Sequence, residues 1–167
     1  MKRKTAIRFI SVLCASVIAL VALAGCATQD TAASQQQSEN REYMTQVNQV
    51  MEDLQGKLES FTDAVSRGDV VGMRTQADSA FKAIDGLGNL SVPDDLKDVQ
   101  QEYVDGTGDL KKALNDYIDL FTEIDSATEA QPFDWSTYDQ RLSDIKALYD
   151  EGIGKLQSGD NKATEKN

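Results

Sequence analysis

Five acidic residues recur at intervals of seven in the middle of the chain, which makes them its most regular set of reactive side chains. On an α-helix this spacing places them along one edge, with neighbours about 10 Å apart along the axis, so two of them alone cannot share an ion. The pattern predicts a docking edge for a basic partner or, with help from Asp98, Asp105 or Asp119, a weak site for a hard cation. The series is Asp95, Glu102, Asp109, Asp116 and Glu123.

The same acidic series has a second interpretation, as a solvated flank that bases elsewhere in the chain neutralise. Stacked like charges destabilise a helix unless something offsets them. The bases available are Arg141, Lys146 and Lys155 on the fourth predicted helix and Arg74 and Lys82 on the second. Of the two external ligands, we expect a cationic envelope protein rather than a metal ion.

The absence of histidine excludes several kinds of chemistry. Without it, the 167 residues cannot supply a Ser-His-Asp or Cys-His catalytic set, or an imidazole ligand for zinc or haem. No carboxylate lies in an apolar sequence context that would raise its pKa for acid catalysis. We therefore expect no enzymatic activity, no catalytic residue, no metal and no cofactor. The net charge of −11 also argues against a nucleic-acid partner.

Two aromatic residues stand apart from the apolar pattern of the helices. Phe133 and Trp135 follow a polar loop just before the last predicted helix. There they are candidate exposed anchors for a partner, or they pack over the open end of the helices. Either Asp134 or Ser136 caps that helix, and if the cap is Asp134, Phe133 is placed to contact Tyr138.

Two glycines interrupt the longest predicted helix, at Gly106 and Gly108. Each costs about 1 kcal/mol relative to alanine in a helix interior, so their presence needs a structural reason. The sequence leaves open a close approach of another helix at Gly106, a local kink, or a bend that forms a ligand pocket.

The elements that position these residues are four amphipathic helices, recognised by apolar residues at steps of three and four. Their markers are Tyr43 to Val65, Val70 to Leu87, Leu96 to Ile124, and Tyr138 to Leu156. No stretch alternates with period two, so no strand is expected. The prediction is an all-α, four-helix up-down bundle over residues 39–158, whose second helix is shortest. Residues 159–167 lack a large apolar side chain and are predicted to be a disordered tail.

The beginning of the chain carries a targeting pattern. Four basic residues precede an apolar stretch from Phe9 to Ala22, and Leu23-Ala24-Gly25-Cys26 follows. This order resembles the signal peptide and lipobox of bacterial lipoproteins. The resemblance implies cleavage between Gly25 and Cys26, loss of residues 1–25, and a diacylglycerol joined to the Cys26 thiol. An uncleaved transmembrane helix, or a signal cut after Ala22 or Ala24, are the alternatives.

Several expectations follow from that resemblance. Residues 1–25 hold four bases and no acids, so their removal changes the net charge from −11 to −15. Cys14 leaves with the signal peptide and Cys26 is lipidated, so no disulfide forms. Two acyl chains anchor a protein stably in the lipid bilayer, and residues 26–38 are predicted to be the lipidated cysteine and a flexible tether.

The bundle is similar to small helical lipoproteins of unknown function in its Val92-Pro93-Asp94-Asp95-Leu96 segment and the long helix after it. We expect a protein anchored to the extracytoplasmic face of the cell membrane that acts as a non-catalytic binding or scaffold module. The alternative is a receptor for a small ligand or cation, with a site in the bundle core.

Overall fold

The computed structural model describes residues 32–166, which form four α-helices and one short 3-10 helix. The helices are α1 (Ala32–Arg67), α2 (Val70–Gly88), the 3-10 helix (Asp94–Leu96), α3 (Lys97–Ser126) and α4 (Tyr138–Glu165). This part of the chain contains no strand, so the predicted all-α fold is confirmed. The predicted signal peptide and lipidated Cys26 lie outside the described residues.

Consecutive helices run in opposite directions and pack side by side, α1 on α2, α2 on α3 and α3 on α4. The ion pairs between α3 and α4 show the direction directly. Glu102 pairs with Lys162, whereas Glu123, about six turns of α3 further on, pairs with Arg141. The helices α1 and α3 run in the same direction, since Phe61 contacts Tyr117 near one end and Gln36 contacts Asp95 near the other.

The corner between α1 and α2 follows from two residues. Gly68 adopts a φ of +67°, which glycine tolerates best, and so ends α1. The Asp69 carboxylate then accepts a hydrogen bond of 2.8 Å from the Gly72 N–H and caps α2. As predicted, α2 is the shortest helix, with 19 residues against 36 in α1.

The core consists of a large and a small cluster of buried side chains, most of them at the predicted apolar positions. Its largest fully buried side chains are Tyr43, Val47, Met73, Leu87, Leu96, Val99, Tyr103, Leu110, Ile118 and Leu120. A smaller cluster forms where α3 ends and α4 begins, around Leu120 and Tyr138. This smaller cluster positions the loop 127–137.

The helical region extends past both predicted boundaries. Residues 32–38, expected to belong to the flexible tether, form the first two turns of α1, where Gln36 hydrogen-bonds Asp95. Residues 159–165, expected to be a disordered tail, continue α4. The reason is that small residues pack there: Gly159 lies against the Tyr103 ring, and Ala163 is buried. A search for large apolar residues misses such contacts.

Candidate functional site

The acidic series lies along the α3 edge that faces α4, where α4 supplies bases to it. Glu102 accepts a hydrogen bond of 2.5 Å from Lys162, and Asp109 accepts one of 2.7 Å from Lys155. Both oxygens of Glu123 accept from the guanidinium of Arg141, at 2.6 and 2.9 Å. The result is a ladder of ion pairs that joins the two helices.

The other two members of the series are also engaged within the chain. Asp116 pairs with Lys112 one turn earlier on α3, at 2.6 Å. The Asp95 carboxylate accepts a hydrogen bond from the Gln36 amide. Of the bases proposed from the sequence, Arg141 and Lys155 pair with the series, Arg74 and Lys146 pair with other acids, and Lys82 forms no ion pair in the described region.

The ladder affects the titration of its members. The Lys162 ammonium lowers the pKa of Glu102, and the Arg141 guanidinium lowers the pKa of Glu123, in both cases mainly through the hydrogen bond. Lys166 at the end of α4 lowers the pKa of Asp98 in the same way. These carboxylates stay ionised at neutral pH, and the bases paired with them within the chain neutralise part of their charge.

The glycine in the middle of α3 has the role of a close helix contact. A Cβ placed on Gly106 would lie 2.7 Å from the Gly152 carbonyl oxygen and 3.0 Å from a Leu156 methyl. The helix α3 continues through Gly106 and Gly108 from Lys97 to Ser126. Because α4 fills the space beside Gly106, the ligand pocket that the sequence allowed there is occupied by the chain itself.

A buried polar cluster lies between α1, α3 and α4, near the start of α1. The Tyr103 hydroxyl donates a hydrogen bond of 2.6 Å to Asp160. Tyr43 is buried in the same core cluster as Tyr103. Asn40, one turn before Tyr43, is 3% exposed. Within the described residues, Asn40 Oδ1 and the Tyr43 hydroxyl are buried without a hydrogen-bond partner.

Burial sets the proton affinities in this cluster. It raises the pKa of Tyr43 to about 12 and raises that of Tyr103 further, with a contribution from Asp160. Burial also raises the pKa of Asp160, and the Tyr103 hydroxyl offsets part of the increase. Asn40 lies on the apolar face of α1, four residues before Met44 and seven before Val47. Its burial could therefore have been predicted from this spacing.

At the opposite end of the bundle, an aromatic cluster closes the loop 127–137. Phe133 packs edge-on against Tyr138, with ring centroids 6.5 Å apart. The helix α4 begins at Tyr138 with Thr137 as its N-cap, so Asp134 is not the cap on which this contact was expected to depend. Trp135 lies over both, at 5.0 Å from Phe133 and 5.6 Å from Tyr138. Trp135 remains 45% exposed, whereas Phe133 is partly buried against the smaller core cluster and is not an exposed anchor.

Neither a metal site nor a membrane span is formed by the described residues. Residues 32–166 contain no group of three or more acidic, cysteine or histidine side chains arranged to hold a metal ion. No helix in that range is long and apolar enough to cross a bilayer.

No family model, curated protein or solved structure matches the chain.

Proposed function

We propose that this protein is a bacterial lipoprotein, anchored through Cys26 at the extracytoplasmic face of the cell membrane, which binds a protein partner without catalysing a reaction. The observation that carries the binding role is Trp135, a large aromatic side chain held by packing yet 45% exposed. Its neighbours fix its position, which is how side chains that dominate a protein interface are commonly presented.

The position of Trp135 suits a binding role in an anchored protein. Only residues 27–31 separate Cys26 from α1, so the start of α1 lies within about 20 Å of the lipid anchor. The loop 127–137 lies at the other end of the bundle, and the 36 residues of α1 span about 54 Å. Trp135 would therefore face away from the membrane, toward other components of the envelope.

The α3 edge is a weaker choice for the partner surface than the sequence suggested. Its carboxylates already accept hydrogen bonds from Lys162, Lys155 and Arg141. A basic partner would have to displace these intrachain bases, which leaves little net gain in free energy.

The anchor is tested by exchanging the two cysteines separately. Cys26→Ser should abolish incorporation of labelled palmitate. Cys14→Ser, the matched control within the signal peptide, should leave the incorporation unchanged. Palmitate labelling that survives in Cys26→Ser would overturn the anchor.

The binding role is tested in intact cells with a photo-reactive amino acid at Ser136, the exposed neighbour of Trp135, so that the indole is kept. A control with the same amino acid at Glu52, an exposed position on α1, reports random collisions. The proposal requires one partner that is captured at position 136, absent at position 52 and lost when Trp135→Ala is added. Capture of nothing at 136, or of the same proteins at both positions, would contradict it.

The buried polar cluster favours a second candidate function, a receptor for a small polar ligand in the bundle core. The carrying observation is that Asn40 Oδ1 and the Tyr43 hydroxyl are buried without a hydrogen-bond partner. Native mass spectrometry of the protein purified from cells would show a bound small molecule that Asn40→Leu removes. An unchanged mass in both proteins would exclude this function.

A further inference from the structure

The surface around Trp135 is rich in negative charge, which limits the kinds of partner that can bind there. No lysine or arginine occurs between Lys112 and Arg141, whereas seven aspartates and glutamates do. Three of the seven form ion pairs: Asp116 with Lys112, Asp119 with Arg74, and Glu123 with Arg141. The other four, which form no ion pair in the described structure, are Asp125, Glu129, Asp134 and Asp139.

These four carboxylates lie in the loop that carries Trp135 or in the helical turns beside it. Asp125 belongs to the last turn of α3, where the helix dipole is itself negative and where no basic residue compensates. Asp139 lies in the first turn of α4. The Asp134 carboxylate accepts hydrogen bonds from the Ser136 N–H at 2.9 Å and hydroxyl at 2.7 Å, which hold the loop around Trp135.

We propose that Trp135 and these four carboxylates bind a lysine- or arginine-rich segment of an envelope protein, with one cationic side chain over the indole ring. The inference rests on the proposed function and specifies its partner. Indole is the aromatic ring that attracts cations most strongly, and nearby carboxylates increase that attraction. Arginine fits best, because its planar guanidinium can stack on the ring and hydrogen-bond a carboxylate at once.

The negative charge around Trp135 also argues against other kinds of ligand for this surface. A second copy of the chain would bring its own net negative charge to the same face. Anionic lipid headgroups and nucleic acids would be repelled for the same reason. A basic protein segment is the occupant that the uncompensated carboxylates attract.

The first experiment uses Trp135, the only tryptophan of the chain, as the reporter. The lipidated protein, purified from cells in neutral detergent, is titrated with a peptide of alternating arginine and glycine, which has no fluorescence of its own. An aspartate–glycine peptide of equal length is the negative control. We expect the arginine peptide to change the Trp135 emission at low salt, the change to vanish at high salt, and the control to have no effect.

Matched charge variants locate the peptide on the surface. The triple variant Asp125→Asn, Glu129→Gln and Asp139→Asn should weaken binding about tenfold, since each exposed pair contributes a small factor. The control triple Glu39→Gln, Glu42→Gln and Glu52→Gln removes equal charge from exposed positions of α1, and it should change the affinity by less than about twofold. Equal weakening by both triples, or no emission change with the arginine peptide, would overturn the inference.

A second experiment separates this inference from the proposed function. The segment that cross-links to position 136 in cells, with Trp135 in place, is identified by mass spectrometry. A lysine- or arginine-rich segment supports the inference. A neutral or acidic segment overturns it while the binding role stands, whereas no capture at position 136 removes both.

Discussion

Gly106 and Gly152 face each other across α3 and α4 so closely that neither position has room for a side chain. A Cβ on either glycine would lie 2.7 Å from the carbonyl oxygen of the other. On either side of this contact, the ion pairs Glu102–Lys162 and Glu123–Arg141 fix the register of the two helices. Close backbone packing and charge pairing therefore specify the same alignment of α3 and α4.

We predict that Gly152→Ala destabilises the bundle by about 1–3 kcal/mol, because the added methyl group would push on backbone atoms that cannot move independently. The matched control is Gly154→Ala, whose Cβ would meet nothing within 4 Å. That change should stabilise by up to about 1 kcal/mol through helix propensity. Thermal unfolding of the full-length chain, followed by circular dichroism, measures both. Equal Tm values for the two variants would contradict the contact.

We predict that truncation after Ser158 lowers the Tm of the full-length chain. It removes Gly159 from the Tyr103 ring, the buried Ala163 and the partner of Glu102, for a loss of about 2–4 kcal/mol. At about 2–4 °C per kcal/mol, the shift is readily measured. Removal of only 166–167 should change the Tm little by comparison. An unchanged Tm after the longer truncation would show that residues 159–165 contribute nothing to the fold.

The apolar periodicity was sufficient to predict the number of helices, their order and most of their core. Tyr103, Leu110 and Tyr117 are buried at their heptad positions because one face of α3 is covered along its length. The end of α4 could not be predicted in this way. Its contacts depend on the absence of side chains at Gly159 and on a methyl group at Ala163, and small residues give no apolar signal.

The candidate site was predicted less completely than the fold. Spacing placed Asp109 and Glu123 on one edge, but whether that edge faces solvent or α4 depends on how the helices are arranged around the core. Spacing along one helix does not contain that information. Trp135 was selected from its position in a polar loop, whereas Asp160 was missed because it was assigned to a tail.

We predict that the ladder between α3 and α4 makes the bundle sensitive to acid. Glu102 and Glu123 have lowered pKa values in the fold, so they stabilise it above their ordinary pKa of 4.5. This stabilisation is lost as the pH falls below that value toward the pKa of the folded state. The double variant Glu102→Gln, Glu123→Gln should have a lower Tm at neutral pH and a shallower fall of Tm between about pH 5 and about pH 3.

The control for the acid measurement is the pair Glu39→Gln and Glu42→Gln, exposed carboxylates on α1 that form no ion pair in the described part of the chain. Its Tm should follow that of the unmodified protein at each pH. If both double variants give the same profile, the ladder does not account for the acid sensitivity.

We predict the opposite pH dependence for Asp160. Burial raises its pKa above the ordinary 3.8, so the folded state disfavours the ionised form and loses stability as the pH rises past that value. Asp160→Asn removes this cost while its amide oxygen can still accept the Tyr103 hydroxyl. The Tm of the variant should exceed that of the unmodified protein at neutral pH and approach it at acid pH. A lower Tm at neutral pH would refute the assignment.

A second variant at the same position separates charge from hydrogen bonding. Asp160→Ala leaves the buried Tyr103 hydroxyl without an acceptor, which costs about 1–3 kcal/mol. Its Tm should lie below that of Asp160→Asn at every pH. Equal Tm values for these two variants would mean that the bond between Tyr103 and Asp160 does not stabilise the fold.

We predict that Phe133 holds Trp135 in place. Phe133 contacts Trp135 on one side and Tyr138 on the other, so Phe133→Ala removes a support of the indole together with partly buried apolar area. Truncation of a half-buried phenylalanine should cost about 1–2 kcal/mol, below the range for fully buried rings. The emission of Trp135 should shift to longer wavelength and its quenching by acrylamide should increase, because the indole gains contact with water.

Phe81→Ala is the control, since Phe81 is partly buried on α2 beside Lys111, away from the loop. The control variant should lower the Tm without altering the Trp135 emission. If Phe81→Ala changes the emission as much as Phe133→Ala does, the environment of Trp135 depends on general loosening of the bundle and not on the contact with Phe133.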